Sequence, residues 1–233
     1  MSTPLTVARS ARRRLRRSSA VGFYSRHLNA RDLVLDIGAN LGEHTAAILA
    51  AGARVVAVEP QWDLLPRLQQ RCPDAHVRGA AVSDRHGEAT LFTSATNSEI
   101  ATLNPDWPAR YDDEVRSAGW KAAEWGKQQT VPVVTLDELV DEYGQPQFVK
   151  IDVEGLEDKV LAGLSTPVDQ FLFEVHSGLP GVALRAFDQL ARLGRYEYRM
   201  MEYGCWEFRR PMSAAGILAR LPDQGDVHAR RVG

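Results

Sequence analysis

The sequence predicts an α/β fold built on a doubly wound, mostly parallel sheet that closes with a C-terminal antiparallel hairpin. Three observations carry this. The apolar runs from Leu33 onward are short and rich in β-branched residues, as strands buried on both faces are. Helical patterns separate them, as crossovers between parallel strands require. The first run feeds a glycine-rich turn that opens a helix, the arrangement that places a ligand crevice at the carboxyl ends of strands.

Taken in order, residues 1–30 form an arginine-rich helical extension, and 31–233 one domain, a division that suits a 25.8 kDa chain. Arg9, Arg12, Arg13, Arg14, Arg16 and Arg17 leave an acidic remainder, since the net charge is only -2. The run is read as a solvated tail and not as a nucleic-acid arm, because no comparable basic patch follows it. Strands are expected at Leu33–Ile37, Arg54–Val58, His76–Val82, Phe148–Asp152 and Phe171–Val175, with helices at Gly42–Ala51, Trp62–Arg71, Leu156–Ala162 and Val182–Leu193. Between about 94 and 130 the pattern breaks into a polar insertion with Trp107, Tyr111, Trp120 and Trp125 interleaved with Pro and Gly. Such aromatics either line a pocket or bury a satellite core under a long loop. After Arg195, segments 195–200 and 205–209 alternate as a hairpin turning at 202–204. Cys72 and Cys205 have no metal or disulfide spacing and are expected reduced. With no apolar run long enough to span a bilayer and no signal-peptide pattern, the expected compartment is the cytoplasm.

The chemistry concentrates at strand ends. Leu33-Val34-Leu35-Asp36-Ile37-Gly38-Ala39-Asn40-Leu41-Gly42 is a strand running into a ligand-binding turn, with Gly38 and Gly42 permitting a sharp bend and close backbone approach. It reads DxGxNxG and lacks the GxGxxG cradle for a pyrophosphate, which Asp36 would repel. An acid there suits the cationic amino-acid end of S-adenosylmethionine. Glu59, ending the second strand, is the expected acceptor of the ribose hydroxyls. Val82 and Ser83, with Asp84, are expected beside the adenine. Lys150-Ile151-Asp152-Val153-Glu154-Gly155 puts charge on an apolar strand tip, where Asp152 and Glu154 are candidates for a base, a clamp or a metal ligand, Asp152 also reaching the cofactor. The alternative is a Lys150 ion pair with helix-capping carboxylates. Glu174 and His176 follow on the next strand, two residues apart and so on one face. His176 or Asp152 is a candidate base, and Asp152 with Glu174 a candidate Mg²⁺ pair.

Together these residues resemble the FkbM-type methyltransferases: the Asp36–Gly42 turn, Val58-Glu59-Pro60, Ala81-Val82-Ser83-Asp84 before Gly87, Thr135-Leu136-Asp137-Glu138-Leu139, Lys150–Gly155 and Glu174-Val175-His176, in the family's order. The likeness spans roughly residues 31–176. It implies a class I methyltransferase, Rossmann-like fold, S-adenosylmethionine as donor, and O-methylation of a small molecule, natural product or saccharide. It supports Asp36, Gly38, Asn40, Gly42 and Glu59 for the cofactor, whereas roles for Asp152, Glu154 and His176 rest on position. A homodimer is compatible with the sequence. Two rival readings stay open. Asn104-Pro105-Asp106-Trp107 is similar to the element with which N-methyltransferases accept amino hydrogens, and a catalytically inactive scaffold would bind partners through the arginine tail.

Overall fold

A computed structural model describes residues 20–95, 97, 100–109, 124–202 and 210–233. The arginine run 9–17, Tyr111, Trp120 and the expected strand 205–209 lie outside the described residues.

Helix α1 covers residues 20–27. It is followed by β1 (Leu33–Ile37), α2 (Glu43–Ala50), β2 (Arg54–Val58), α3 (Leu65–Arg71), β3 (His76–Arg78), β4 (Ala81–Val82), β5 (Gly87–Ser94) and β6 (Trp125–Val134). Then come α4 (Leu136–Tyr143), β7 (Phe148–Ile151), α5 (Glu157–Ala162), β8 (Gln170–Val175), α6 (Pro180–Leu193), β9 (Tyr196–Glu202), α7 (Ala214–Leu218) and β10 (Gly225–Arg231). The main sheet runs β3-β2-β1-β7-β8-β10-β9. It is parallel through β8, and β10 is antiparallel to both its neighbours. The predicted fold class is therefore the observed one. The order reverses between β1 and β7, so the β1 turn opens at a topological switch point.

The two faces of the sheet differ. Leu35, Ile37, Val58, Val149, Ile151, Phe171 and Phe173 face an apolar layer completed by α4, α5 and α6. Val34, Val55, Phe148 and Leu172 face α1 and α2, where Phe23 meets Phe148 edge-to-face at 6.1 Å between centroids. Side chains alternate along a strand, so Asp36, Lys150 and Glu174, each two residues beyond a member of that second set, share this face at the strands' carboxyl ends.

Several elements differ from expectation. The strand expected over 76–82 breaks at Gly79. Its second half, β4, leaves the main sheet to pair with β6 in a three-stranded sheet β4-β6-β5. Strand β6 begins at Trp125, inside the stretch read as irregular, and pairs antiparallel with β5. The first half of β6 hid this ribbon, because it carries exposed Gly126, Lys127 and Gln128 and half-buried Gln129 instead of an apolar repeat. Helix α4 starts at a capping box in which Glu138 N donates to Thr135 Oγ1 at 3.1 Å and Thr135 N to Glu138 Oε2 at 2.7 Å. The principal partner of β9 is the later β10. Among the described residues, Met212 also bridges Tyr198 of β9. Among the described residues no helix is long and apolar enough to cross a membrane.

Candidate active site

The β1 turn is shaped by backbone conformations that glycine and asparagine tolerate. Gly38, Asn40 and Gly42 lie at φ 75°, 48° and 75°. The Gly38 and Ala39 amides donate to Val58 O, tying the turn to the end of β2. A Cβ at Gly38 would fall 1.8 Å from Asp152 O, so the turn and the β7 tip are in direct backbone contact.

Glu59, 2% exposed, accepts from the Asn40 amide at 2.8 Å through one oxygen and from the Gln61 amide at 2.9 Å through the other. Burial raises its pKa while those amides pull it down. Each carboxylate oxygen carries further lone pairs, so these bonds orient the group and leave acceptor capacity for a diol. Its own amide donates to Arg78 O, which puts the end of β3, at Arg78 and Gly79, beside it. Val82 is buried in the second sheet. The Ser83 amide donates to Val134 O, its hydroxyl to Asp84, and its carbonyl would lie 2.4 Å from a Cβ on Gly163. Asp84 in turn holds Lys159 at 2.9 Å. These bonds commit Ser83 and Asp84 to α5 and β6.

Asp36 is fully buried. One of its oxygens accepts from Thr45 Oγ1 at 2.5 Å, and the other lies 3.6 Å from Lys150 Nζ. Lys150 also reaches Gly38 O at 3.1 Å and Asp152 at 3.3 Å. Burial pulls the lysine pKa down, but Asp152 and Asp36 reverse this and leave it raised, so it stays charged. Asp36 thus underpins the turn from below, while Asp152, 40% exposed, is the anion presented at the crevice.

Beyond the turn the edge is acidic. Carboxylate oxygens of Asp152, Glu154 and Glu174 lie within 4.8 Å of one another. Asp226 stands directly across from Glu174 in the β8–β10 ladder, on the same face. Burial first, and the neighbouring carboxylates second, hold the Glu174 pKa well above the usual range and push Asp226 to about 7. Burial pushes Glu157 to about 7 as well, although it accepts from the Val153 amide at 3.3 Å and the Gly155 amide at 3.1 Å. His176 accepts the Gly178 amide on Nδ1 at 3.1 Å and meets Trp107 edge-on at 5.8 Å. Trp107, Gly155, Glu174, His176 and Leu179 line one cleft, so the insertion contributes a wall there.

Asn104 Oδ1 accepts the Asp106 amide at 3.0 Å within the insertion, and the Asn104 amide donates to Thr102 Oγ1 at 3.0 Å. Its geometry is that of a turn residue.

The Methyltransferase FkbM domain model matches residues 36–200. The chain belongs to the FkbM methyltransferase family. A curated relative, the hexuronic acid methyltransferase AglP of Haloferax volcanii, is 30% identical over 153 residues, covering 64% of this chain and 57% of that protein. The chain thus spans just over half the length of that relative. Among solved structures, a TehB-like SAM-dependent methyltransferase from Corynebacterium glutamicum aligns at TM-score 0.49 and 11% identity over 92% of this chain and 88% of that one. A precorrin-6y C5,15-methyltransferase from Geobacter metallireducens aligns at 0.46 and 12%, with the same coverage.

Membership of the FkbM methyltransferase family implies S-adenosylmethionine as the methyl donor, and the donor set fits that ligand. A buried carboxylate, Glu59, and a part-exposed anion, Asp152, flank a turn with no pyrophosphate cradle. Sequence reasoning missed Asp226, Glu157 and the pair formed by Tyr24 and His44, bonded at 2.8 Å beside this network. Burial lowers the His44 pKa to about 4 with help from Lys150, keeping the ring neutral. Asp226 had a usable signal, since it is an acid at a strand start, in phase with His228 and alternating with Val227 and Ala229.

Proposed function

We propose that this FkbM methyltransferase transfers a methyl group to an oxygen of a hydroxylated small molecule or saccharide. The observation that carries this is the group of three carboxylates, Asp152, Glu154 and Glu174, beside the cofactor turn. A hydroxyl acceptor needs a base, and a carboxyl with a raised pKa is a stronger one than an ordinary carboxylate. The hexuronic acid named for the relative makes a saccharide the first acceptor to examine.

S-adenosylmethionine, when bound, supplies an electrophilic methyl that needs no further activation. The protein's part is alignment and proton removal. Glu59 holds the ribose hydroxyls, and Asp152 faces the cationic amino end. Glu174, in its carboxylate form, takes the acceptor proton and becomes neutral, which relieves its repulsion with Asp152 and Glu154. His176, its Nδ1 lone pair engaged by Gly178, donates through Nε2 and orients the acceptor oxygen; it is not the base. Trp107 closes the cleft on the insertion side.

A divalent cation is a second reading, favoured by the same three carboxylates, whose repulsion an Mg²⁺ ion would relieve while lowering the acceptor pKa.

The first experiment is calorimetric binding of S-adenosylhomocysteine to the wild type and to Glu59→Ala, followed by methyl transfer to glucuronosides and neutral hexosides with and without EDTA. Binding weakened by roughly 1–3 kcal/mol in the variant supports the ribose role. Absence of binding by the wild type removes the proposal, transfer only to amines redirects it, and EDTA-insensitive transfer discards the metal.

A further inference from the structure

The tip of β7 turns into α5 through Asp152–Leu156, and its backbone is unfavourable: Glu154 lies at φ 55° and Gly155 at φ 92°. A residue with a Cβ persists in the left-handed region only where its surroundings over-determine it. Two side chains do so here. Glu157 Oε1 accepts both amides that flank Glu154, those of Val153 and Gly155. Thr102 Oγ1 donates to the Glu154 carbonyl at 2.9 Å. Thr102 is itself fixed, because its amide and carbonyl both bond Phe92 of β5. The far end of the same turn has no slack, since the Asp152 carbonyl closes on Gly38.

We infer that Glu157, aided by Thr102, is a positioning residue that holds the Asp152–Gly155 turn in the shape that seats Asp152 against the cofactor turn and keeps Asp152 and Glu154 beside Glu174. At 3% exposure Glu157 acts through the backbone it binds. Thr102 makes the insertion part of the same device: the ribbon that carries it reports directly to the catalytic edge. The inference rests on the methyltransferase reading of this site.

The test is calorimetric binding of S-adenosylhomocysteine, with thermal melts and amide exchange, for Glu157→Leu, Glu157→Gln and Thr102→Val. Leucine removes the acceptor and should weaken binding roughly 10- to 100-fold. Glutamine keeps an acceptor oxygen and should stay within about threefold of the wild type. Thr102→Val, losing the bond donated to the Glu154 carbonyl and the one accepted from the Asn104 amide, should weaken binding about fivefold. A folded Glu157→Leu that binds like the wild type overturns the inference, as does a glutamine variant as weak as leucine. Where leucine prevents folding, Thr102→Val decides by the same measurement, unchanged affinity overturning the clamp. If the wild type does not bind S-adenosylhomocysteine, the methyltransferase reading falls by itself. Exchange at Val153 and Gly155 then judges the clamp: faster in the Thr102→Val protein and unchanged in the glutamine variant supports it, and no change in either overturns it.

Discussion

Lys150 is the residue on which the buried charges of the cofactor turn depend. It stands across from Asp36 in the β1–β7 ladder and reaches Asp36, Asp152 and the Gly38 carbonyl together. Replacing it with methionine preserves the volume but strands Asp36 in the interior. Such an uncompensated charge costs about 3–5 kcal/mol, so Lys150→Met should lower the denaturant midpoint accordingly. Asp226 makes the opposite case. Its pKa is raised on folding, so the folded chain binds its proton more tightly than the unfolded chain. The associated stability is complete below the ordinary carboxyl range and is lost as pH rises toward and through about 7. Asp226→Asn should therefore raise the melting temperature at pH 8 by several degrees and change it little at pH 4. Equal shifts at both values would contradict the assignment. These roles were only partly legible in the sequence. Gly38, Asn40, Gly42 and Glu59 stood out because a strand fed them directly into a turn. Lys150 was visible as a charge in an apolar run, but its partner across the ladder depends on a register between strands more than a hundred residues apart.

At the scale of elements, the strands that could be read are those buried on both faces, where nearly every position must be apolar. β1, β2, β7 and β8 are of this kind. β5 and β6 are half exposed, with burial at Leu91, Val131 and Val133 against polar neighbours, and their pairing follows from a ribbon geometry that composition alone does not announce. Helix α4 was missed although its start carries Thr-x-x-Glu, because its eight residues offer little room for an apolar period. Its capping box gives a direct prediction: Thr135→Ala removes the acceptor for the Glu138 amide and should destabilise the protein by about 1 kcal/mol in chemical denaturation. The same variant leaves the carboxylate edge in place, so S-adenosylhomocysteine affinity should not change.

At the scale of the whole molecule, β10 lies between β8 and β9 in space but follows both in sequence. During translation, therefore, β8 and β9 leave the ribosome before the strand that separates them exists. The nascent chain exposes the edge of β8, with Phe171 and Phe173, until Gly225–Arg231 arrives to pair with it. Early docking of β9 onto that edge would have to be undone, because β10 pairs antiparallel with each of them. A chain stopped before Gly225 should accumulate with chaperones or in the pellet, and supplying residues 225–231 as a separate peptide should restore solubility if the vacated slot is all that is missing. β10 therefore completes the sheet after the strands on either side of it have been made, and the time until it pairs sets how long the half-made chain is open to aggregation.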